Sequence, residues 1–371
     1  MQEKIQTTKN SDVRSANRKR VSNLLFRQGQ MTKQELALKL NMSLPTVSTI
    51  LKELSDAGLV TTGKTLDSTG GRKAVCHQPV YEAKYSVGAE ASLHGIRLIL
   101  LDLGVHVAAE EYFPLEQENT RAYWEKVDSM IERFCQTHVD QKEKILDMGI
   151  TLEIPMRDGQ VIAKKGQTAD EIMNLDLARS CLHMNVKFRN STKMAAVAQI
   201  WALGSNNNFV FVSLGNHVRG ALIHQGNVMD FANTNGEFAD IVTHGGSPGR
   251  LDDILSAENL CRKAQVPDLD TFFQWVQEGR AAHVWEAYLN ELSIFLHALR
   301  CIFGWDIVLG GSLSPYLEKY RDLLEARMEA YNTFAEQSQS RLLFSRLGGR
   351  GAAVGAALLP IDAFMEQGFN L

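Results

Sequence analysis

Ser43, Thr46, Ser48, Thr49 and Lys52 are small polar or basic residues set along one stretch of ten positions. Hydroxyls both donate and accept hydrogen bonds, and an ammonium attracts phosphate. A helix presenting this set in a major groove can therefore approach base edges and backbone. Arg72 and Lys73 end the Gly-rich stretch "DSTGGRK", and a basic tip of that kind suits the enhanced negative potential of a narrow minor groove. A third stretch, "TNGEFADIVTHGGSPGR" at 234–250, gathers glycines, two acids and a histidine. It is too irregular for a helix and too broken for a long strand, as many ligand-handling loops are. On its residues alone it is a working site, a lost one or a plain connection.

The elements that position the first two groups can be read from the chain. "RSANRKRVSNLLFRQ" at 14–28 sets Val21, Leu24 and Leu25 at helical spacing behind an Arg/Lys cluster. "TKQELALKL" opens with Thr32 as N-cap and Glu35 three residues on, a capping box, with Leu36, Ala37 and Leu40 on its buried face. After the "NMS" turn, "LPTVSTILKELSDAGL" aligns Val47, Ile50, Leu51 and Leu54 as an apolar stripe; Pro45 fits the first turn and Gly58 ends the helix. "LVTTGKTLDSTGGRKAVCHQPV" then reads as two strands and a basic tip. A three-helix interaction module with a solvated basic face is the competing reading, and the helix pair, the wing and the local charge together favour DNA.

The totals agree. Residues 1–78 carry 13 Lys/Arg against 6 Asp/Glu, a net of +7, while the remainder carries 26 against 37, a net of −11. A basic module joined to an acidic body suggests nucleic acid at one end and another task at the other. With 371 residues and 44% apolar content, the chain is long enough for two or three domains with proper cores. Its longest apolar runs, such as "LILLDLGV" at 98–105, fall short of the roughly 20 residues that span a bilayer. "MQEKIQTTKN" lacks the apolar core of a signal peptide. We expect a cytoplasmic protein with no membrane partner. The five dispersed cysteines offer neither a disulfide framework nor a zinc cluster.

Beyond about residue 80 the pattern changes. "YSVGAEASLHGIRLILLDLGVHVAAEEYF" reads as two strands and the start of a third, "TRAYWEKVDSMIERFCQTHV" as an amphipathic helix, and "KILDMGITLEIP" as strand again. A second cycle starts at "NNFVFVSLG" (207–215) and continues through "HVRGALIHQGNVM", a long helix around "WEAYLNELSIFLHALRCIFGW", the strand "DIVLGG" (306–311) and a closing "GGRGAAVGAALL" helix. Two rounds of strands followed by helices predict a two-lobed α/β body with a cleft between the lobes.

With these residues in view the chain resembles the ROK family of bacterial repressors and sugar kinases. The matching features, in order, are the winged helix-turn-helix ending in "GGRK", "VGAEAS", "RNSTKMAAVAQIW", "FVSLGNHVRGALIHQG", "NGEFAD", "DIVLGGSLSP" and "GAAVGAALL". The resemblance implies an N-terminal winged helix-turn-helix over 1–80 and an actin-like (ribonuclease H-like) body, with a first α/β lobe over 81–200 and a second over 201–371 that carries the dimerisation surface. The fused DNA module points to the repressor branch.

The resemblance also exposes departures from kinase chemistry. Where the kinases carry D-x-G-x-T for metal and phosphates, this chain has Glu90, Ala91, Ser92, Leu93 and His94. Their second phosphate turn, similar to G-T-G-I-G-G, is here Gly215, Asn216, His217, Val218, Arg219 and Gly220, and the lost glycines had permitted close backbone approach. At the family's N-D pair stands Asn190 followed by Ser191, and an unassisted hydroxyl takes up no proton near neutral pH. We therefore expect no catalytic residue and no cofactor. Gly310 and Gly311 remain where the nucleotide would pack, or serve as a tight strand-to-loop turn.

In the family, the counterpart of 234–250 holds a structural zinc and contacts sugar. Here Thr243, Gly245 and Arg250 fall at its three cysteine positions and Asp240 at its histidine. Zinc wants about four N or S ligands, so no metal is expected. Glu237 keeps its position and Asp252 stands for the last glutamate. Asn190, Glu237, Asp240 and Asp252 are thus the expected lining of a pocket for a sugar or sugar-phosphate effector, since carboxylates and amides hold paired hydroxyls directionally. The alternative for the acids is that of solvated loop residues or helix caps. Pro155 and Met156 fall on the family's sugar-facing turn.

These features imply a sugar-responsive repressor of carbohydrate-use genes. It would act as a homodimer or tetramer on a pseudo-palindromic double-stranded operator, with effector release of DNA the family's commoner direction. The alternatives are a ROK sugar kinase with an attached DNA-binding module, and a DNA-binding dimer with no effector.

Overall fold

Thr32 starts the second helix as the sequence predicts. Its hydroxyl accepts from the Glu35 amide at 3.2 Å, and the Glu35 carboxylate accepts from the Thr32 amide at 2.7 Å. These bonds hold the Glu35 carboxyl below its ordinary pKa, the backbone bond from Thr32 being the largest cause. The computed structural model describes residues 10–66, 74–157, 159–163, 165–168, 171–204, 208–229, 238–244, 248–333 and 340–369. Arg72, Lys73, Glu237 and Gly245 lie outside them.

The N-terminal module is α1 (Asn10–Gln28), β1 (Met31–Thr32), α2 (Lys33–Leu40), α3 (Leu44–Asp56), β2 (Val60–Leu66) and β3 (Ala74–Pro79), with its sheet in the order β1-β3-β2. Val47, Ile50, Leu51 and Leu54 are all buried against Leu25 and Leu36. Each such side chain contributes roughly 1.5–3 kcal/mol by leaving water. Leu40, expected on the buried face of α2, is only half-buried. Asn41, left-handed at φ +52°, turns the chain from α2 into α3.

The first lobe contains β4 (Tyr85–Ser92), β5 (Gly95–Asp102), β6 (Val107–Pro114), α4 (Arg121–His138), β7 (Ile145–Leu152), the short hairpin β8 (Met156–Arg157) and β9 (Gln160–Val161), α5 (Leu175–Cys181) and β10 (Val186–Asn190). Then α6 (Ser191–Leu203) leads into the second lobe: β11 (Phe209–Leu214), β12 (Val218–His224), β13 (Asn227–Val228), β14 (Val242–His244), β15 (Pro248–Arg250), α7 (Asp252–Leu255), α8 (Ala257–Ala264), α9 (Leu269–Gln277), α10 (Ala282–Phe303), β16 (Asp306–Gly310), α11 (Ser314–Leu317), α12 (Arg321–Ala330) and β17 (Leu342–Phe344). The chain closes with α13 (Gly351–Glu366).

Among the described residues each lobe has one five-stranded sheet, ordered β10-β7-β4-β5-β6 and β13-β12-β11-β16-β17. Counted within its lobe, each sheet runs third-second-first-fourth-fifth. In both, the first three strands form an antiparallel meander and the last two pair in parallel. The two strand-and-helix cycles of the sequence are therefore two copies of one topology.

Assigning 201–371 wholly to the second lobe needs correction. Helix α13 returns to the first, where it packs on β4, β7 and α6. Its small residues make this possible: a Cβ on Gly355 would stand 1.9 Å from the Met194 carbonyl oxygen of α6, so only glycine allows the two backbones this close. Ser86 of β4 donates to the Ala357 carbonyl at 2.6 Å. "GAAVGAALL" is thus a close-packing surface, and the need for it is invisible until the sheet beneath is in place.

The N-terminal module is not loosely tethered. Its α1 shares an apolar core with Leu101, Leu103, Leu358, Ile361 and Phe369 of the body. The Phe26 ring lies 5.9 Å from Tyr81 in an edge-to-face arrangement and 5.0 Å from Phe369. Among the described residues no helix is long and apolar enough to cross a membrane.

Candidate functional site

Two sites emerge, a polar face on α3 and a cleft between the lobes. Ser43, Thr49 and Lys52 are exposed, while Thr46 and Ser48 are half-buried. Several hydroxyls on this face already have local partners. Ser43 is the N-cap, accepting from the Thr46 amide at 3.3 Å and bonding the Thr46 hydroxyl at 2.8 Å. Thr49 donates to the Pro45 carbonyl at 3.0 Å. Among the described residues of this face Lys52 supplies the exposed cation, while Thr49 and one of Ser43 and Thr46 have their hydroxyl donors already used. The basic cluster of α1 is partly spent on packing: Arg14 and Arg18 pair with Glu53 of α3, and Arg20 donates to the Leu40 carbonyl at 2.8 Å.

The cleft has a volume of about 220 Å³. Glu90 and Glu153 face it from the first lobe, Ser191 and Gln199 from α6, Asn216, His217 and Arg219 from the second lobe, and Ser345 from the return toward α13. Gln199 donates to Ser345 at 2.9 Å, tying α6 to the segment before α13. Carboxylates, amides and hydroxyls at this density suit a polyhydroxyl ligand.

Of the expected effector residues, Asn190 lies beneath this lining. It is buried, its side-chain oxygen accepts from the Lys193 amide at 3.0 Å, and its amide nitrogen donates to the Ile154 carbonyl at 2.8 Å. One end caps α6 and the other ties it to the loop after β7, and its neighbour Ser191 reaches the cleft instead. Asp252 is likewise committed, holding His217 and the Val218 amide at 2.8 and 2.7 Å; it neither caps α7 by its side chain nor lines the cleft. Asp240 is exposed and pairs with Arg250 at 3.3 Å. The second half of the 234–250 loop forms the hairpin of β14 and β15. The structure thus brings Asp252 to the cleft only through His217, and leaves Asn190 and Asp240 outside its lining.

The residue that motif comparison undervalued is Glu90. Read as a failed phosphate turn, it is a carboxyl lifted to about 7, first by burial and then by the neighbouring Glu153, against a downward pull from Arg97. The available signal was a lone acid in the apolar strand "YSVGAEAS". Nothing near Glu153 in sequence marks it as Glu90's partner. Gly311 has φ +81°, and a Cβ there would meet the Leu214 carbonyl oxygen at 2.3 Å, so it serves a tight turn.

Comparison with known proteins adds three findings. Residues 14–61 match the family described as winged helix-turn-helix DNA-binding. The chain is 19% identical to the xylose repressor of Staphylococcus xylosus, over 98% of this chain and 97% of that protein. Its fold is similar to a crystal structure of a ROK family transcriptional regulator, a homolog of the E. coli MLC protein (TM-score 0.75, 18% identity, 96% of this chain and 98% of the other), and to a ROK family glucokinase from Streptomyces griseus in complex with glucose and AMPPNP (TM-score 0.64, 15% identity, 75% and 99%).

Proposed function

We propose that this chain, a winged helix-turn-helix module on a body of the ROK fold, is a DNA-binding repressor of carbohydrate-use genes, controlled by a sugar or sugar derivative in a cleft that transfers no phosphate. The observation that carries this reading is the pairing of an α3 face bearing Lys52 with a polar inter-lobe cleft, joined through one apolar core. The names of its relatives, a xylose repressor and a ROK regulator, support it. So does the glucose held by a glucokinase of the same fold.

Loss of transfer is supported by one residue: Ser191 follows Asn190 where the resemblance places the kinase base, and an unassisted hydroxyl takes up no proton near neutral pH. In this reading a homodimer sets two α3 helices about one DNA turn apart on a pseudo-palindrome. Effector affinity must then differ between the DNA-competent and incompetent arrangements of the lobes. In the same reading Glu237 contacts the effector, and Arg72 and Lys73 contact DNA.

A gel-shift on the protein's own promoter region, repeated with a sugar panel, tests this. One sugar class should change the fraction of DNA bound. A protein that binds the fragment but ignores every sugar would remove the effector, and turnover of any sugar with ATP and magnesium would remove the claim of lost transfer.

A further inference from the structure

We infer that the first lobe carries a second small-molecule site, away from the inter-lobe cleft, for a compact apolar molecule bearing a positively charged nitrogen. A cavity of about 700 Å³ lies between α4, the turn into β7, the turn before β10 and the end of α13. That is more than three times the cleft's 220 Å³, and within the roughly 300–1,000 Å³ typical of ligand pockets. Ile131, Val139, Met184 and Phe364 give it an apolar floor, the part of a site that supplies affinity by removing surface from water.

The polar lining leans acidic. Asp128, Glu132, Asp140 and Asp147 line it, against Lys142 and His183. Asp128 is buried and fixed, accepting from both the His183 amide, at 2.9 Å, and the His183 ring. That side-chain bond raises the His183 pKa. Lys144 offsets Asp140 at 3.0 Å, and Asn185 orients Asp147 at 2.9 Å without neutralising it. Carboxylates exceed the cations even with His183 charged, so the lining attracts a cationic head and repels an anionic one.

The cavity also touches the element that holds the DNA-binding module. Phe364 lines it and packs on Phe369 at 5.1 Å; Phe369 lies 5.0 Å from Phe26 of α1. Pro360, one turn earlier and on the same wall, lacks the amide that would donate to Ala356 in the helix ladder. A ligand that displaces Phe364 is therefore felt at α1. This coupling, unlike the site itself, rests on the DNA-binding reading.

Three indole probes with one apolar body and different heads test the site: tryptamine (cationic), 3-methylindole (neutral) and indole-3-acetate (anionic), titrated into the full chain by calorimetry without DNA. Tryptamine should bind at least tenfold more tightly than indole-3-acetate, with 3-methylindole between them. Asp147→Lys, at an exposed position of the lining that does not threaten folding, should weaken tryptamine about tenfold, and Ala363→Trp should abolish binding by filling the cavity. If Ala363→Trp fails to fold, Asp147→Lys decides. No binding by any probe, equal binding of all three, or tryptamine affinity indifferent to Asp147→Lys would each overturn the site. For the coupling, saturating tryptamine should change operator affinity at least threefold, and Phe369→Ala should remove that change. An operator affinity untouched by bound tryptamine overturns the coupling, whereas a chain that binds tryptamine and no DNA overturns the DNA-binding reading and leaves the site standing.

Discussion

Asp252 holds His217 across 35 positions of sequence: one carboxylate oxygen accepts from the ring Nδ1 at 2.8 Å, and the other accepts from the adjacent Val218 amide at 2.7 Å. The turn between β11 and β12 is thereby fixed, with His217 presented to the cleft. The bond also assigns the Nδ1 proton, leaving Nε2 to face a ligand.

Removing that carboxylate should loosen the turn. Asp252→Ala is expected to cost about 1.5–3 kcal/mol, the range for hydrogen bonds to a charged group, and to abolish the stabilisation produced by an effector sugar. Denaturant melts with and without sugar measure both. An Asp252→Ala protein with wild-type stability and an unchanged sugar response would show that the pair positions nothing.

On α3, charge and hydroxyl should separate. Lys52→Ala is expected to weaken operator binding for all sequences and to lower the slope of log affinity against log salt by roughly 0.9, one phosphate contact. Thr49→Ala, whose hydroxyl already donates to Pro45, should leave that slope alone. Fluorescence anisotropy at several salt concentrations reads both. A slope unchanged in Lys52→Ala removes Lys52 from the phosphate contacts.

Glu90 should make stability fall as pH rises. Its folded pKa of about 7 exceeds the ordinary 4.5, so below 4.5 the group is protonated in both states. Between 4.5 and 7 the unfolded chain alone ionises freely, and the folded state loses ground. Glu90→Gln should remove this loss, making the variant more stable than the natural chain at pH 8 by about 1–3 kcal/mol and similar at pH 4, with each pKa unit worth about 1.4 kcal/mol. Chemical denaturation at the two pH values checks it, and an equal stability gap at both would place the effect elsewhere.

What the sequence by itself determined is local. The Thr32–Glu35 capping box, the stripe from Val47 to Leu54, the meander from Tyr85 and the strand at 306–310 all follow from spacing and cap chemistry within a few residues, and they emerged where expected. So did the order of elements that predicts two similar lobes. Only the tertiary structure decided which polar groups are available. Asn190 and Asp252 carry the right chemistry for a ligand, but folding brings backbone donors and acceptors to them from Ile154, Lys193 and Val218 and uses up their capacity. Folding also sends α13 back to the first lobe, sets Glu153 beside Glu90 and aligns Phe364, Phe369 and Phe26. Each of these depends on contacts between residues far apart in the chain, where side-chain type restricts what is possible and the packing of sheets and helices selects among the possibilities.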